Sequence, residues 1–121
     1  IRVMAYGLYL TLDQEQWYRG DYSSENKITG TLYTDKNRTV AKNLTGYTIT
    51  IRLFKSRTIG DRFNKTASIV SASAGTFAYA VGQGEMPIFG LYEVVVTLTK
   101  SGVQESTLNH VELQILEGPS A

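Results

Sequence analysis

Between Phe89 and Gly102 apolar and polar residues alternate with period two. Tyr92, Val94, Val96 and Leu98 fall on one face, and Glu93, Thr97 and Thr99 on the other. This pattern predicts a strand with one buried side. Pro87 and Gly90 break the chain before it, and Ser101-Gly102 supplies a two-residue turn after it. The cleanest alternation runs from Tyr47 to Phe54, with Tyr47, Ile49, Ile51 and Leu53 inward and Thr48, Thr50 and Arg52 outward. Further strands are predicted over Met4–Leu12 (Leu8, Leu10 and Leu12 inward), Lys27–Thr34 (Ile28 and Leu32 inward), Thr66–Val70 and Thr76–Val81 (Phe77, Tyr79 and Val81 inward). The last is Val103–Glu117, with Val111, Leu113 and Ile115 inward. Leu108 has the opposite parity, which predicts a bulge or bend near Thr107–Asn109. Asp13–Asn26 and Lys55–Lys65 read as long polar loops, the first interrupted by Trp17, Tyr18 and Tyr22.

About seven strands with a turn signal every ~8–12 residues give an all-β chain, an immunoglobulin-like antiparallel β-sandwich. The sandwich is expected over residues 8–117, with an N-terminal arm at 1–7 and a tail at 118–121. Tyr92, just past Gly90 at the head of its strand, fits a tyrosine corner, in which the ring packs inward and the hydroxyl holds backbone a few residues upstream. The Cys pair and core Trp of antibody domains are absent. With 121 residues the chain makes one domain, large enough to bury a core without staples. It has no cysteine, so disulfides and thiolate metal sites are excluded. A net charge of +1 gives no bias toward nucleic acid or a membrane surface. No apolar run reaches the ~18 residues that a spanning helix needs.

Three stretches resemble the N-terminal domain family of phage baseplate upper proteins. Asn43-Leu44-Thr45-Gly46-Tyr47-Thr48-Ile49-Thr50-Ile51-Arg52-Leu53 is similar to that family's D-L-T-G-A-T-V-T-F-R-L strand. Ser71 to Tyr79 is similar to its D-A-A-A-G-T-V-x-Y step. Gly84 to Val94 is similar to its G-D-x-x-x-x-G-x-Y-x-x-x-F step. Thr31-Leu32-Tyr33-Thr34-Asp35 is the best part of a weaker likeness over Leu12–Asp35, so the resemblance spans roughly Leu8 to Leu116. Asn43 stands where the family has an acidic residue, the Trp17–Tyr22 loop is longer than is typical, and residues 1–7 have no clear counterpart. The resemblance implies an immunoglobulin-like domain of a tailed-phage virion, on the tail, baseplate or capsid surface. It implies a protein that assembles in several copies with other virion subunits.

The chemistry-bearing residues point away from catalysis. His110 is the one histidine. Ser106 and Glu105 lie near it in sequence, but residues along a strand alternate faces and diverge, so no triad is expected. Asp13, Glu15, Asp21 and Glu25 crowd one loop without an EF-hand pattern, and no set has zinc-ligand spacing, so neither a metal nor a cofactor is expected. Arg19-Gly20-Asp21 reads as turn chemistry. Lys55, Arg57, Arg62 and Lys65 against Asp61 suit a hairpin tip touching an acidic neighbour, or plain solvation, better than a nucleic-acid site, which would carry more positive charge and interleave aromatics. Two stretches are left as the candidate interaction surface. One is the aromatic loop of Trp17, Tyr18, Arg19 and Tyr22, which suits a protein contact, stacking on a host-surface glycan, or a plug over one end of the sandwich. The other is the apolar arm with Ile1, Val3, Met4 and Tyr6, which suits strand addition to a neighbouring subunit.

Overall fold

The two strongest alternations become adjacent strands in the middle of the sheet. The computed structural model describes residues 7–56, 60–87 and 89–117, with the backbone alone for 56 and 60–62. Among these the chain is all-β. The strands are β1 (Tyr9–Leu12), β2 (Gln16–Tyr18), β3 (Ile28–Tyr33), β4 (Thr48–Ser56), β5 (Gly60–Ser71), β6 (Thr76–Tyr79), β7 (Gly90–Lys100), β8 (Val103–Ser106) and β9 (Glu112–Leu116). They form a curled, mixed sheet in the order β1-β3-β6-β5-β4-β7-β9-β2, with β8 also on β7.

β5 is the corner of the curl. Its first part pairs with β4 as far as Ala67 opposite Ile49. From Ser68 onward it pairs with β6 instead. The two halves of the sheet share one core. β1, β3 and β6 contribute Leu10, Ile28, Leu32 and Phe77; β4, β7 and β9 contribute Ile49, Ile51, Leu53, Tyr92, Val94, Val96, Leu98, Leu113 and Ile115. Leu8, Leu44, Val81 and Met86 close its ends. The expected inward positions are therefore in register. Tyr47, Tyr79 and Val111, also expected inward, pack half-buried against the cluster, as does Leu12. Lys100 Nζ lies 4.4 Å from the Tyr47 ring centroid, so that ring is capped by a cation rather than sealed in.

Five expectations need correction. Asp13–Asn26 is not wholly loop: Gln16–Tyr18 forms β2, which pairs in parallel with β9. The sheet is thus mixed rather than antiparallel, and the described strands number nine rather than about seven. The short strand expected at Thr66–Val70 is the end of the 12-residue β5. Most of the loop expected over Lys55–Lys65 is ladder, since Leu53 faces Phe63 and Ser56 faces Gly60; residues 57–59 lie outside the described residues. Finally, Val103–Glu117 is two strands on the same side of β7, interrupted where Leu108 broke the parity.

That interruption has a purpose in the ladder. The Asn109 side chain meets β1: its Oδ1 accepts from Leu10 N and its Nδ2 donates to Leu10 O, both at 2.8 Å. Leu108 N donates to Leu8 O at 2.8 Å. The outer edge of β1 is thereby satisfied by a side-chain amide and one backbone N–H instead of by another strand. Gln14 does the same for β3 past the end of β1: it accepts from Thr29 N and donates to Lys27 O.

Tyr92 has no exposed surface. Its strand starts at Gly90, whose φ of 148° favours glycine, and Lys55 Nζ lies 5.9 Å from its ring centroid. Tyr92→Phe is expected to lower stability by about 1–3 kcal/mol in urea denaturation, as when a buried hydrogen-bonding partner is left unsatisfied. An unchanged midpoint would remove the corner role.

Candidate interaction surface

The aromatic loop divides. Trp17 lies in β2, opposite Ile115 of β9, and is half-buried against the core. Its Nε1 donates to Asp21 O at 3.1 Å. The ring is thus turned toward the core and held by its own loop. Arg19 N donates to Leu116 O and Asp21 N donates to Tyr18 O, so Arg19-Gly20-Asp21 is the tight turn that ends β2. Tyr18 and Tyr22 remain 42% and 54% exposed, and Arg19 is exposed beside them. Only these three are free for a sugar or protein partner, and Trp17→Ala would disturb the fold as well as any ligand. Ile1, Val3, Met4 and Tyr6 lie outside the described residues.

Ser106 and Glu105 do not gather round His110. Ser106 Oγ and Thr97 Oγ1 share a hydrogen bond at 2.9 Å, and Glu105 pairs with Lys42 at 3.2 Å. His110 instead stands between two carboxylates from neighbouring strands: Nε2 is 2.9 Å from Glu112 and Nδ1 is 3.4 Å from Glu93. Glu93 and Glu112 are direct cross-strand partners. Like charges so placed repel, and an imidazolium between them relieves the repulsion. The hydrogen bond to Glu112 and the charge of Glu93 hold the His110 pKa above its ordinary 6.5. A group whose pKa is raised on folding stabilises the fold fully below the unfolded value, and loses that contribution as pH rises through the folded one. An NMR titration of the ring is expected to give a midpoint above 6.5 that falls in Glu112→Gln. A midpoint unmoved by that change would remove the bridge.

The acidic loop is likewise used locally. Asp13 accepts from the Thr29 hydroxyl, and Glu15 O accepts from Gln114 N. Among the described residues no three His, Cys, Asp or Glu side chains converge as a metal site would require.

The surface that sequence reading missed lies on the outer face of β7, β9 and β2. Leu91 faces Gln114 across the β7–β9 ladder, and Gln114 faces Gln16 across the β9–β2 ladder. Two residues further along β9 and β2, Leu116 faces Tyr18. Phe89 precedes β7 at the same end. Phe89 is 50% and Leu91 52% exposed. Glu15, Gln16, Glu112 and Gln114 line a shallow depression beside Leu91. The result is an apolar patch with an acidic rim. Its residues come from three separate parts of the chain, and two of those were not recognisable as neighbours before β2 was known to exist.

Compared with known proteins, the chain matches no family model, no curated protein and no solved structure.

Proposed function

We propose that this chain is an immunoglobulin-like, non-enzymatic structural subunit of a tailed-phage virion, present in several copies and working through protein–protein contacts. The strand order supports the fold part of this reading. β1-β3-β6-β5 follows the A-B-E-D sheet of an immunoglobulin domain, and β4-β7-β9 follows its C-F-G sheet. In that scheme Tyr92 stands at the start of strand F, where a tyrosine corner belongs.

The observation that carries the functional part is what the three family-like stretches do. Asn43 Oδ1 accepts from Thr45 N at 2.9 Å, a role an aspartate fills equally well, and Gly46 takes a φ of 81° before β4 begins. In the second stretch Ser71 Oγ accepts from Ala74 N and Gly75 has a φ of 72°. In the third, Gly84 has a φ of 75° and Glu85 is hydrogen-bonded by the Tyr79 hydroxyl and by Gly82 N. The positions that resemble the family are therefore turn and core positions acting together, and the Asn43 departure leaves the turn chemistry intact. The step from such a domain to a virion is analogy.

The test is direct. Mass spectrometry of purified particles from the source should find this chain in many copies per particle, and immunogold labelling should place it on the tail, baseplate or capsid surface. A chain missing from intact particles would end the reading.

A further inference from the structure

We propose that copies of this chain join head to tail: the acid-rimmed apolar patch of one receives the basic end of the next, where Lys100 and Lys42 share the Tyr47 ring. This deepens the multi-copy part of the function proposed above and rests on it. β7 is 11 residues long, so its two ends stand roughly 30 Å apart. The patch lies at its start. Leu91 faces Gln114, Leu116 is one diagonal step further along β9, and Tyr18 faces Leu116. Phe89, Leu91 and Tyr18 each leave about half of their surface in water, which a monomer seldom does with several large apolar side chains together. Glu15, Glu93 and Glu112 rim the patch, and the exposed Glu117 follows Leu116. His110 is divided between Glu93 and Glu112, and Lys55 is turned to the Tyr92 ring, so with Arg19 the rim still carries an acidic excess.

The basic end lies where β7 finishes. Lys100 Nζ and Lys42 Nζ are 4.4 and 5.2 Å from the centroid of the half-buried Tyr47 ring. The turn from Asp35 to Val40 runs into Lys42 and adds Lys36, Arg38 and Val40, all exposed. The carboxylates beside them are already engaged. Asp35 accepts from Thr39 N and Val40 N inside its own turn, and Glu105 pairs with Lys42 at 3.2 Å. Lys36, Arg38 and Lys100 are therefore surplus charge, set beside an apolar Val40 and the Tyr47 ring. Each surface repels its own kind: patch on patch sets carboxylate against carboxylate, and basic end on basic end sets cation against cation. Patch on basic end matches charge with opposite charge and apolar with apolar. Because these are two different surfaces, every junction leaves one of each unfilled, and copies add until a ring closes or a filament grows. Opposite charges speed and orient this association, and salt weakens it.

The experiment is sedimentation equilibrium of the purified protein over a concentration series. The wild type is expected to grow past two copies as concentration rises and to fall apart as salt rises. Leu91→Asp breaks the patch, and Lys36→Glu with Lys100→Glu breaks the basic end. Each should weaken self-association by at least about tenfold. Mixed together, they should form a 1:1 pair and stop there. The sound end of the first variant then meets the sound patch of the second, and the junction left over sets an acidic end against an acidic patch. A two-fold contact through either surface cannot give that result. Leu108→Asp, an exposed apolar position beside the edge of β1, is the control and should associate like the wild type. Circular dichroism checks the fold of each variant; a misfolded one is replaced by Glu15→Lys with Glu112→Lys for the patch, or Lys36→Glu with Arg38→Glu for the basic end. A monomer at all concentrations, growth that ends at two copies, association indifferent to either variant, or a mixture that forms no 1:1 pair overturns the proposal. Mass spectrometry and labelling of particles are unaffected by that result, so the failure of this contact and the failure of the virion reading are distinguishable.

Discussion

Phe77→Ala is expected to destabilise the protein by about 3–5 kcal/mol, the usual cost of removing a buried aromatic ring. Phe77 has no exposed surface and belongs to the core that the two halves of the sheet share. Its neighbour across the β3–β6 ladder is Gly30. A Cβ added there would lie 2.7 Å from Phe77 Cζ and 2.9 Å from Thr11 O, so the ring occupies the space that a side chain on β3 would fill. Glycine in a strand normally weakens it, and here the ring is the compensation. Gly30→Ala should therefore be costly in the wild type and less costly in a Phe77→Ala background, where only the Thr11 carbonyl still obstructs. Urea denaturation of the four proteins of this cycle measures the coupling. A loss below about 1 kcal/mol for Phe77→Ala would mean that the ring is not the keystone of this packing.

Gly75→Ala is the second large effect, expected at about 2–5 kcal/mol. The left-handed backbone, with a φ of 72°, accounts for about 1–2 kcal/mol of it. The rest comes from close approach. The new Cβ would meet Leu32 O at 2.6 Å and Lys42 O at 3.0 Å. Both are backbone atoms and cannot swing aside. Leu32 N donates to Gly75 O, and Lys42 N donates to Leu32 O, each at 2.8 Å. Moving Leu32 away puts both bonds at risk in a buried place, where an unmade bond costs about 1–3 kcal/mol. Gly46 is the control. Its φ is 81°, but nothing lies within 4 Å of an added Cβ, so Gly46→Ala should lose only the conformational part. Equal losses at the two glycines would refute the role of close approach.

How much of this was legible in the sequence depended on whether a segment has one wet face. β4 alternates cleanly because it is central and buries one side, so its inward residues could be named individually; β7 alternates less cleanly, since Val95 and Thr97, on the face expected outward, are buried as well. β5 hid its length because its first half places Phe63, Lys65 and Ala67 on the inner face, where only one is a large apolar residue. β2 hid entirely. Three residues, Gln16-Trp17-Tyr18, are too few to show a period, and the strand exists because a partner almost a hundred positions away offers a parallel edge. The candidate surface was half legible for the same reason. Tyr18 and Tyr22 stood out as aromatics in a polar stretch, but no local signal joins Tyr18 to Leu116 and, through β9, to Leu91. Trp17 stood out as well, but one-dimensional pattern could not show that it pairs with Ile115 and lies half-buried against the core.

The link between Leu10 and Asn109 joins points 99 residues apart in the chain. Closing so long a loop costs more chain entropy than any neighbouring hairpin, and the two hydrogen bonds it gains cannot offset that cost alone. The β4–β5 and β7–β8 hairpins have no such handicap, because their partners are adjacent in sequence. β1 has a nearer ladder partner in β3, so what waits for β7, β8 and β9 is the capping of its outer edge by Asn109. Until that cap arrives, the outer edge of β1 is open. A topology of this kind folds on the slow side for its size, and that edge is the place most exposed to pairing with another chain in the meantime.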